Sequence, residues 1–249
     1  ELRSTADLAL LEAAGSQAPE AVRRDGLPFN LSAPHRRAVG ADEAATRMRE
    51  ELVARDAQVN LYDRLLDSPL LEAVEVMPTV DALQPGPRDR ILEIGCGTGR
   101  ITRHLATRAA WVVACDLSRA SLIACRGKAR GTARLSLVQA DATHLPFRDG
   151  AFEKSLSAEV LEHVPTPATR EAFISEAART LAPDGRLVLT AYHDSLLMRL
   201  VGKREGTHEG PGGGIYYRRF TVREMRTLLA ARFPEFALHG LRNLPGRTV

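Results

Sequence analysis

The 249-residue sequence has few cysteines and no long apolar run. Its three cysteines, Cys96, Cys115 and Cys125, show no CxxC spacing and no pairing with histidines, which disfavours a disulfide framework or a zinc site and fits a reduced compartment. No stretch approaches the ~18 apolar residues of a membrane span, and the first residues lack the pattern of a secretory signal. We therefore expect a cytoplasmic protein with no membrane partner and no bound metal.

Aromatic residues and clusters of one charge are also scarce. Aromatic residues are 5% of the chain, and basic residues run no longer than pairs such as Arg36-Arg37, so we expect no nucleic-acid partner. Hydrophobic residues at 44% and charged residues at 26% are typical of a globular protein. The length suits one large domain with a helical extension.

The first 85 residues carry helical patterns. A short apolar stretch, Leu8 to Ala14, predicts a short helix followed by a loose arm up to residue 40. Between Asp42 and about Asp67, apolar residues recur at steps of three, four and seven, which predicts an amphipathic helix, and a second helix is predicted from Pro69 to about Leu83. The apolar stripe of the first helix consists of Met48, Leu52, Val59, Tyr62 and Leu66. We expect residues 1–85 to cover the cleft of the domain formed by residues 86–249.

After a Pro/Gly-containing linker, short apolar runs alternate with helical segments, which predicts an α/β fold with a mostly parallel central sheet. The predicted strands are Arg90–Ile94, Trp111–Asp116, Leu135–Ala140, Phe152–Ala158, Arg186–Tyr192 and Phe236–Leu241. The predicted helices between them begin near Gly99, Ser118, Pro167 and Thr221. The turn Pro183-Asp184-Gly185 is expected to lead into the fifth strand.

A glycine-rich turn follows the first strand of this domain. The sequence Gly95-Cys96-Gly97-Thr98-Gly99 lets the chain turn sharply and lets a ligand approach the backbone at a helix N-terminus. A nicotinamide or flavin fingerprint would need glycine where Arg100 stands, which disfavours a dehydrogenase. Asp116 ends the second strand, where its carboxylate can accept hydrogen bonds from ribose hydroxyls, and Asp141 ends the third, near the expected place of an adenine amino group. The pattern indicates a nucleoside-bearing cofactor.

The segment from Arg90 to about Tyr192 resembles the class I S-adenosylmethionine-dependent methyltransferases, in the branch that includes ubiquinone and menaquinone pathway enzymes and many natural-product methyltransferases. The motifs that carry the resemblance are Leu92–Gly99, Asp116–Ser118, Asp141–Phe152 and Val160–Val164. The resemblance implies a Rossmann-like methyltransferase fold with an N-terminal helical cover, and S-adenosylmethionine as the cofactor.

The resemblance also implies which residues contact the cofactor. Asp116 would hold the ribose, Leu117 and Ala142 would flank the adenine, and Asp141 would accept a hydrogen bond from its exocyclic nitrogen. The residues implied at the methionine end are Glu93, Gly95, Gly97, Ala158 and Glu159. Tyr62 would reach the cofactor carboxylate from the N-terminal helix, with the alternative that it only belongs to the apolar stripe of that helix.

Two histidines are candidates for acid/base catalysis. His163 leaves the fourth strand toward the expected active site, and its ordinary pKa lies near working pH. Some natural-product members of this family use a histidine of this segment and pair it with an aspartate at the end of the fifth strand. This sequence has Ala191 at that place, so a structural role for His163 stays open. His193 lies just past the fifth strand, where it can contact substrate or stand in solvent.

An insertion follows the fifth strand, from Ser195 to Arg219, on the expected acceptor side. Its glycines suggest a mobile lid, with a disordered surface loop as the alternative. The residues expected to contact the acceptor are Tyr192, His208, Tyr216 and Tyr217.

The function expected from these patterns is transfer of the methyl group of S-adenosylmethionine to a small biosynthetic or natural-product acceptor, with oxygen favoured over nitrogen or carbon. A nucleic-acid base methyltransferase would be expected to carry an Asn/Asp-Pro-Pro-aromatic motif where this chain has Ser157-Ala158-Glu159-Val160. A protein or peptide methyltransferase and a catalytically silent cofactor-binding partner remain alternatives, and a homodimer is left open. The sequence does not identify the acceptor.

Overall fold

The computed structural model describes residues 41–66 and 68–240, without the side chains of residues 41–45, 62 and 63. The short helix and the arm predicted for residues 1–40 lie outside the described residues. So does Leu241, the last residue of the predicted sixth strand.

Most helices of the described residues lie where the sequence predicts them, but the short helix Leu196–Leu200 was not predicted. The helices are α1 (Ala41–Leu66), α2 (Pro69–Leu71), α3 (Met77–Leu83), α4 (Thr102–Leu105), α5 (Arg119–Lys128), α6 (Pro167–Thr180), α7 (Leu196–Leu200) and α8 (Val222–Ala230). A π-helical turn, Glu72–Val76, joins α2 to α3, so the predicted second helix is continuous but widened at its centre. Side-chain caps mark five of the starts: Ser68 before α2, Ser118 before α5, Thr166 before α6, Ser195 before α7 and Thr221 before α8.

The central sheet is parallel, with five strands in the order β3-β2-β1-β4-β5. Its strands are β1 (Arg90–Ile94), β2 (Trp111–Asp116), β3 (Leu135–Gln139), β4 (Phe152–Ala158) and β5 (Leu181–Thr190), and a separate antiparallel hairpin is formed by β6 (Glu205–His208) and β7 (Ile215–Arg218). The strand order reverses at β1 and β4, and ligands of open α/β sheets bind outside the carboxyl ends of strands at such a reversal.

Hydrophobic residues on both faces of the sheet pack against the helices. Leu92 and Ile94 of β1 belong to one buried cluster with Phe173 of α6, whereas Ile91 of the same strand belongs to a second cluster with Leu122 of α5. This alternation follows from the two-residue repeat of a strand, and burial of both faces is the reason these strands read as continuous apolar runs. The Rossmann-like α/β prediction is confirmed.

Two strand predictions need correction. Residues 236–240 form no strand: Phe236 is 36% exposed, and Leu238 packs on the core cluster from an irregular segment. The fifth strand begins earlier than predicted, at Leu181, which pairs with Phe152, and the predicted turn at Pro183 to Gly185 is an irregularity within it. Apolar alternation alone could not reveal either result, because pairing depends on a neighbouring strand.

The insertion after β5 has regular secondary structure, and its role as a mobile lid stays a prediction. It forms α7 and the β6–β7 hairpin, and the hairpin contacts α1. Gln58 of α1 donates from Nε2 to the carbonyl oxygens of Pro211 (3.0 Å) and Gly213 (3.2 Å) at the hairpin tip. This attachment places α1 and the hairpin side by side beyond the carboxyl ends of the strands.

Candidate cofactor and acceptor site

The turn after β1 is shaped by glycines in the left-handed region. Gly95 has a φ of +76°, and a Cβ atom there would lie 2.2 Å from Cγ2 of Val160, so no other residue fits. Gly97 has a φ of +53°, but a Cβ atom there would meet nothing within 4 Å. The backbone of Gly97 is therefore open to a ligand.

Asp116 holds this turn in place. Its Oδ2 accepts from the backbone N–H of Gly97 at 2.8 Å, and its Oδ1 accepts from the backbone N–H of Ser118 at 2.8 Å. Burial raises the pKa of Asp116 above its ordinary value, against the effect of these two donors. The carboxylate thus links the ends of β1 and β2 at the position expected for ribose.

Asp141, after β3, has one oxygen occupied and one unsatisfied. Its Oδ1 accepts from the backbone N–H and the hydroxyl of Thr143, both at 2.8 Å, whereas its buried Oδ2 has no hydrogen-bond partner. Burial raises the pKa of Asp141, but the His144 ring, whose Nδ1 lies 3.6 Å from Oδ2, and the hydrogen bonds from Thr143 outweigh it and lower the pKa overall. A buried, ionised oxygen that accepts no hydrogen bond within the protein calls for a donor such as an amino group.

A single cavity brings ten of the predicted cofactor-contacting and catalytic residues together. Those that line it are Glu93, Gly95, Gly97, Asp116, Leu117, Asp141, Ala142, Ala158, Glu159 and His163. Glu159 has a φ of +56°, unusual for a residue with a side chain, and its backbone N–H donates to Thr190 of β5. Burial raises the pKa of Glu93 to about 8.

Helix α1 closes the cavity with two charged residues that sequence reasoning missed. Glu51 and Arg55, which form an ion pair of 3.2 Å, line the cavity beside Met48, Leu52 and Val59. Burial raises the pKa of Glu51 to about 7, against the charge of Arg55. Glu51 and Arg55 are four residues apart, so both lie on the helix face that carries the apolar stripe. A charged pair within an apolar stripe is the sequence signal that could have identified them.

Helix α1 also contacts the loop that follows Asp116, through a third charged residue, Asp56. Oδ1 of Asp56 accepts from the Ser118 hydroxyl at 2.5 Å and from the backbone N–H of Ala120 at 3.3 Å. Asp56 therefore lies at the N-terminus of α5, where a negative charge is favourable, directly beside the loop that follows Asp116. This contact connects α1 to the ends of the strands.

His163 is buried at the wall of the cavity. Its Nδ1 donates to the main-chain carbonyl oxygen of Tyr216 in β7 at 2.7 Å, whereas its buried Nε2 has no hydrogen-bond partner. Burial, together with the positive charge of Arg55, lowers the pKa of His163 well below its ordinary value, so the ring is neutral near pH 7. Neighbouring Glu162 is fully buried with both oxygens unpaired, and burial raises its pKa well above the ordinary range.

Aromatic rings extend from His163 toward the hairpin. Tyr192 lies 6.2 Å from the His163 ring, 6.4 Å from His208 and 6.4 Å from Tyr217, and the rings of His208 and Tyr217 stack at 4.2 Å. The guanidinium of Arg219 lies 5.2 Å from the centre of the Tyr192 ring. Tyr216 instead faces Arg47 of α1, at 5.0 Å. Three of the four predicted acceptor contacts therefore form one cluster beside His163.

His193 and the four predicted acceptor contacts, Tyr192, His208, Tyr216 and Tyr217, do not line this cavity. His193 pairs through its main chain with Phe220 and is absent from the cavity lining. The side chain of Tyr62 lies outside the described residues. Within the part of the chain that the structure describes, no cluster of three or more metal-ligating side chains occurs, and no helix is long and apolar enough to cross a membrane.

Comparison with known families and proteins gives a consistent result. Residues 92–189 match a family model described as a methyltransferase domain. The chain is 33% identical over 150 residues to a demethylmenaquinone methyltransferase of Mycolicibacterium vanbaalenii, and 33% identical over 146 residues to a malonyl-[acyl-carrier protein] O-methyltransferase of Geobacter sulfurreducens. These alignments cover 55% and 57% of the chain, and 62% and 54% of the relatives, so the chain matches little more than half the length of these proteins.

Solved structures support the fold. A complex of DhpI with SAH is 22% identical, with a TM-score of 0.59, over 74% of this chain and 86% of that one. A complex of DhpI with SAM and HEP is 24% identical, with a TM-score of 0.58, over 78% of this chain and 90% of that one. At such identities the likeness concerns the architecture of the domain.

Proposed function

We propose that the protein is a class I S-adenosylmethionine-dependent methyltransferase that transfers the methyl group of this cofactor to a small-molecule acceptor, because residues 92–189 match a methyltransferase domain and the chain is 33% identical over 150 residues to a methyltransferase. The observation that carries the proposal is the pair of strand-end carboxylates, Asp116 and Asp141, on one cavity with the open backbone of Gly97. When bound, S-adenosylmethionine supplies a methyl group on a positively charged sulfur, ready for in-line displacement by an acceptor atom.

The residues of the cavity fit the parts of this cofactor. The buried Oδ2 of Asp141 would accept from the adenine amino group, and Asp116 would bind the ribose hydroxyls beside its two backbone donors. Glu159, with Ala158, would lie at the methionine end, where a carboxylate favours a cation. Helix α1 would cover the bound cofactor and exclude water, which strengthens every electrostatic interaction inside.

His163 gives the proposal its preference for an oxygen acceptor. With Nδ1 engaged by the Tyr216 carbonyl, Nε2 carries a lone pair that accepts a hydrogen bond from a hydroxyl and can take its proton during transfer. A neutral imidazole is needed for this role, and the lowered pKa of His163 keeps it neutral. The aromatic cluster of Tyr192, His208 and Tyr217 would pack on a planar or apolar part of the acceptor.

The relatives suggest two acceptors to test. One relative is named for demethylmenaquinone and another for malonyl-[acyl-carrier protein]. We infer that the acceptor is a biosynthetic small molecule with an ionisable oxygen, and that the protein acts in the cytoplasm without a nucleic-acid partner. A ring carbon activated by a neighbouring hydroxyl would also use Nε2 of His163, because removal of the hydroxyl proton is common to both reactions.

A direct experiment incubates the purified full chain with methyl-labelled S-adenosylmethionine and a panel of reduced quinones, carboxylate thioesters and phenols. We expect label in at least one small molecule, with stoichiometric release of S-adenosylhomocysteine. Asp116→Ala should abolish the labelling, whereas Asp184→Ala, a change at an exposed position of β5, should not. Label found only in added proteins would refute a small-molecule acceptor, and a chain that binds the cofactor but labels nothing across the panel would favour the catalytically silent alternative.

A further inference from the structure

Helix α1 holds a loose ion pair at the wall of the cavity. Nε and Nη2 of Arg55 both donate to Oε1 of Glu51, at 3.3 and 3.2 Å, and the two side chains are only 21% and 18% exposed. Charge-assisted hydrogen bonds are usually about 2.7 to 2.9 Å long, and a guanidinium binds a carboxylate best through two parallel bonds to its two oxygens. Glu51 therefore satisfies Arg55 less well than a carboxylate bound in that parallel geometry.

Helical geometry directs Arg55 between the two sides of the site. Gln58, which donates to the hairpin tip, lies about 60° from Arg55 around the helix axis. Asp56, which accepts from the Ser118 hydroxyl, lies about 100° from Arg55 in the opposite direction. Glu51 lies about 40° from Arg55, on the same side as Gln58. The ion pair is therefore on the part of the helix face that turns toward the hairpin.

Three apolar residues of α1 that line the cavity lie on the other side of Arg55, toward Asp56. They are Met48, Val59 and Leu52, at about 20°, 40° and 60° from Arg55. These residues cover the part of the cavity nearer the loop that follows Asp116, where the nucleoside is expected. The charged pair instead covers the part nearer the hairpin, which also holds His163 through its hydrogen bond to β7.

Two guanidinium groups act on the histidines of this part of the site. Burial, Arg219 and Arg55 lower the pKa of His208, and burial and Arg55 lower the pKa of His163, so both rings are neutral near pH 7. Burial raises the pKa of Glu51 to about 7, so its carboxyl group only partly neutralises Arg55 at that pH. A ligand with a negative charge is therefore favoured here.

We propose that Arg55 binds a carboxylate of the acceptor while the acceptor hydroxyl lies at Nε2 of His163. The acceptor carboxylate replaces Glu51 as the partner of Arg55 and accepts two parallel hydrogen bonds from the guanidinium. This inference rests on the proposed function and narrows it. The acceptor class is a hydroxy acid, whose planar or apolar body extends toward the aromatic cluster.

The test measures binding, so that it does not depend on methyl transfer. Calorimetry of the full chain saturated with S-adenosylhomocysteine compares hydroxybenzoates and hydroxycinnamates with their carboxamides, which keep the hydroxyl group and the shape but lose the charge. We expect at least one acid to bind, about tenfold or more tightly than its amide. Arg55→Gln should weaken the binding of that acid about 10- to 100-fold and remove its advantage over the amide. Arg55→Lys should weaken it less, because the charge is retained.

The matched control is Arg64→Gln, which removes an exposed arginine from the face of α1 opposite Arg55. This variant should bind the acid like the unmodified protein, and thermal unfolding of each variant verifies that it is folded. The affinity for S-adenosylhomocysteine alone should stay nearly the same in the Arg55 variants.

Three results would overturn the inference. One is that no acid of the panel binds, or that none binds more tightly than its amide. Another is that Arg55→Gln binds the acid as tightly as the unmodified protein does. The third is that Arg55→Gln loses affinity for S-adenosylhomocysteine instead, because Arg55 would then bind the carboxylate of the cofactor. A protein that binds the acid through Arg55 but transfers no methyl group supports this inference and refutes only the proposed function.

Discussion

The Nδ1 atom of His163 lies 2.7 Å from the main-chain carbonyl oxygen of Tyr216, which belongs to the hairpin inserted after the sheet. A carbonyl oxygen only accepts hydrogen bonds, so Nδ1 carries the proton and Nε2 is the basic nitrogen. The hairpin therefore determines which nitrogen of His163 is available to an acceptor.

Replacing His163 should impair methyl transfer more than cofactor binding. His163→Ala is expected to lower kcat about 100-fold, the usual size of a general-base contribution, with little change in the Kd of S-adenosylhomocysteine. Tyr216→Phe is the matched control, since it retains the main-chain carbonyl that orients His163. Full activity of the His163 variant would show that the ring has a structural role only.

The pH dependence of the unmodified protein provides an independent check on His163. Burial lowers the pKa of this histidine well below 6.5, so it stays neutral as the pH falls from 8 to 6.5. We expect no loss of kcat attributable to His163 over this range. A kcat that halves near pH 6.5 in the unmodified protein, but not in a variant lacking His163, would contradict this assignment.

Two glycines of the turn after β1 should respond differently to alanine. Gly95→Ala places a Cβ atom 2.2 Å from Val160, and we expect it to lower the free energy of unfolding by about 2 to 4 kcal/mol. Gly97→Ala meets no neighbouring atom and should cost only about 1 to 2 kcal/mol, because of its left-handed backbone. Cofactor affinity should nevertheless fall in the Gly97 variant, since its methyl group occupies open space at the cavity. Denaturant titration and calorimetry separate the two effects.

Glu93 should make the cofactor-free protein less stable as the pH rises. Burial raises its pKa from 4.5 to about 8, so its contribution is fully favourable below pH 4.5 and is lost as the pH increases toward 8. Glu93→Gln removes this titration and should raise the free energy of unfolding at pH 8, relative to the unmodified protein, by an amount on the order of a few kcal/mol. Unfolding curves at pH 5 and pH 8 test this, and an equal difference between the two proteins at both pH values would exclude it.

A deletion experiment tests whether α1 covers the cofactor cavity. We propose that residues 1–85 form a cover rather than a separate domain. Gln58 joins α1 to the hairpin tip, and Asp56 joins it to the loop that follows Asp116. Removal of residues 1–66 should abolish turnover while far-ultraviolet circular dichroism still reports the sheet. Gln58→Ala, a milder change, should weaken cofactor binding without unfolding the chain. A truncated protein that methylates at the full rate would disprove the cover.

The sequence predicted best what depends on local patterns. Strands β1 to β4, the glycine turn and the carboxylates Asp116 and Asp141 lie where the sequence patterns placed them, since each is defined by neighbours in the chain. The orientation of His163 could not be predicted, because its partner is 53 residues away in a segment without a motif. Glu51 and Arg55 were missed because burial of a charged pair depends on the domain against which α1 packs.

Calorimetric titration of the full chain with S-adenosylhomocysteine tests the central claim most directly. We predict saturable binding to one site, and we predict that Asp116→Ala weakens it about 5- to 150-fold, because about 1 to 3 kcal/mol of paired hydrogen bonding is lost. Asp184→Ala should leave the affinity unchanged. The account would be contradicted by an unmodified protein that does not bind the ligand, or by an Asp116 variant, folded as shown by its thermal unfolding, that binds it with undiminished affinity.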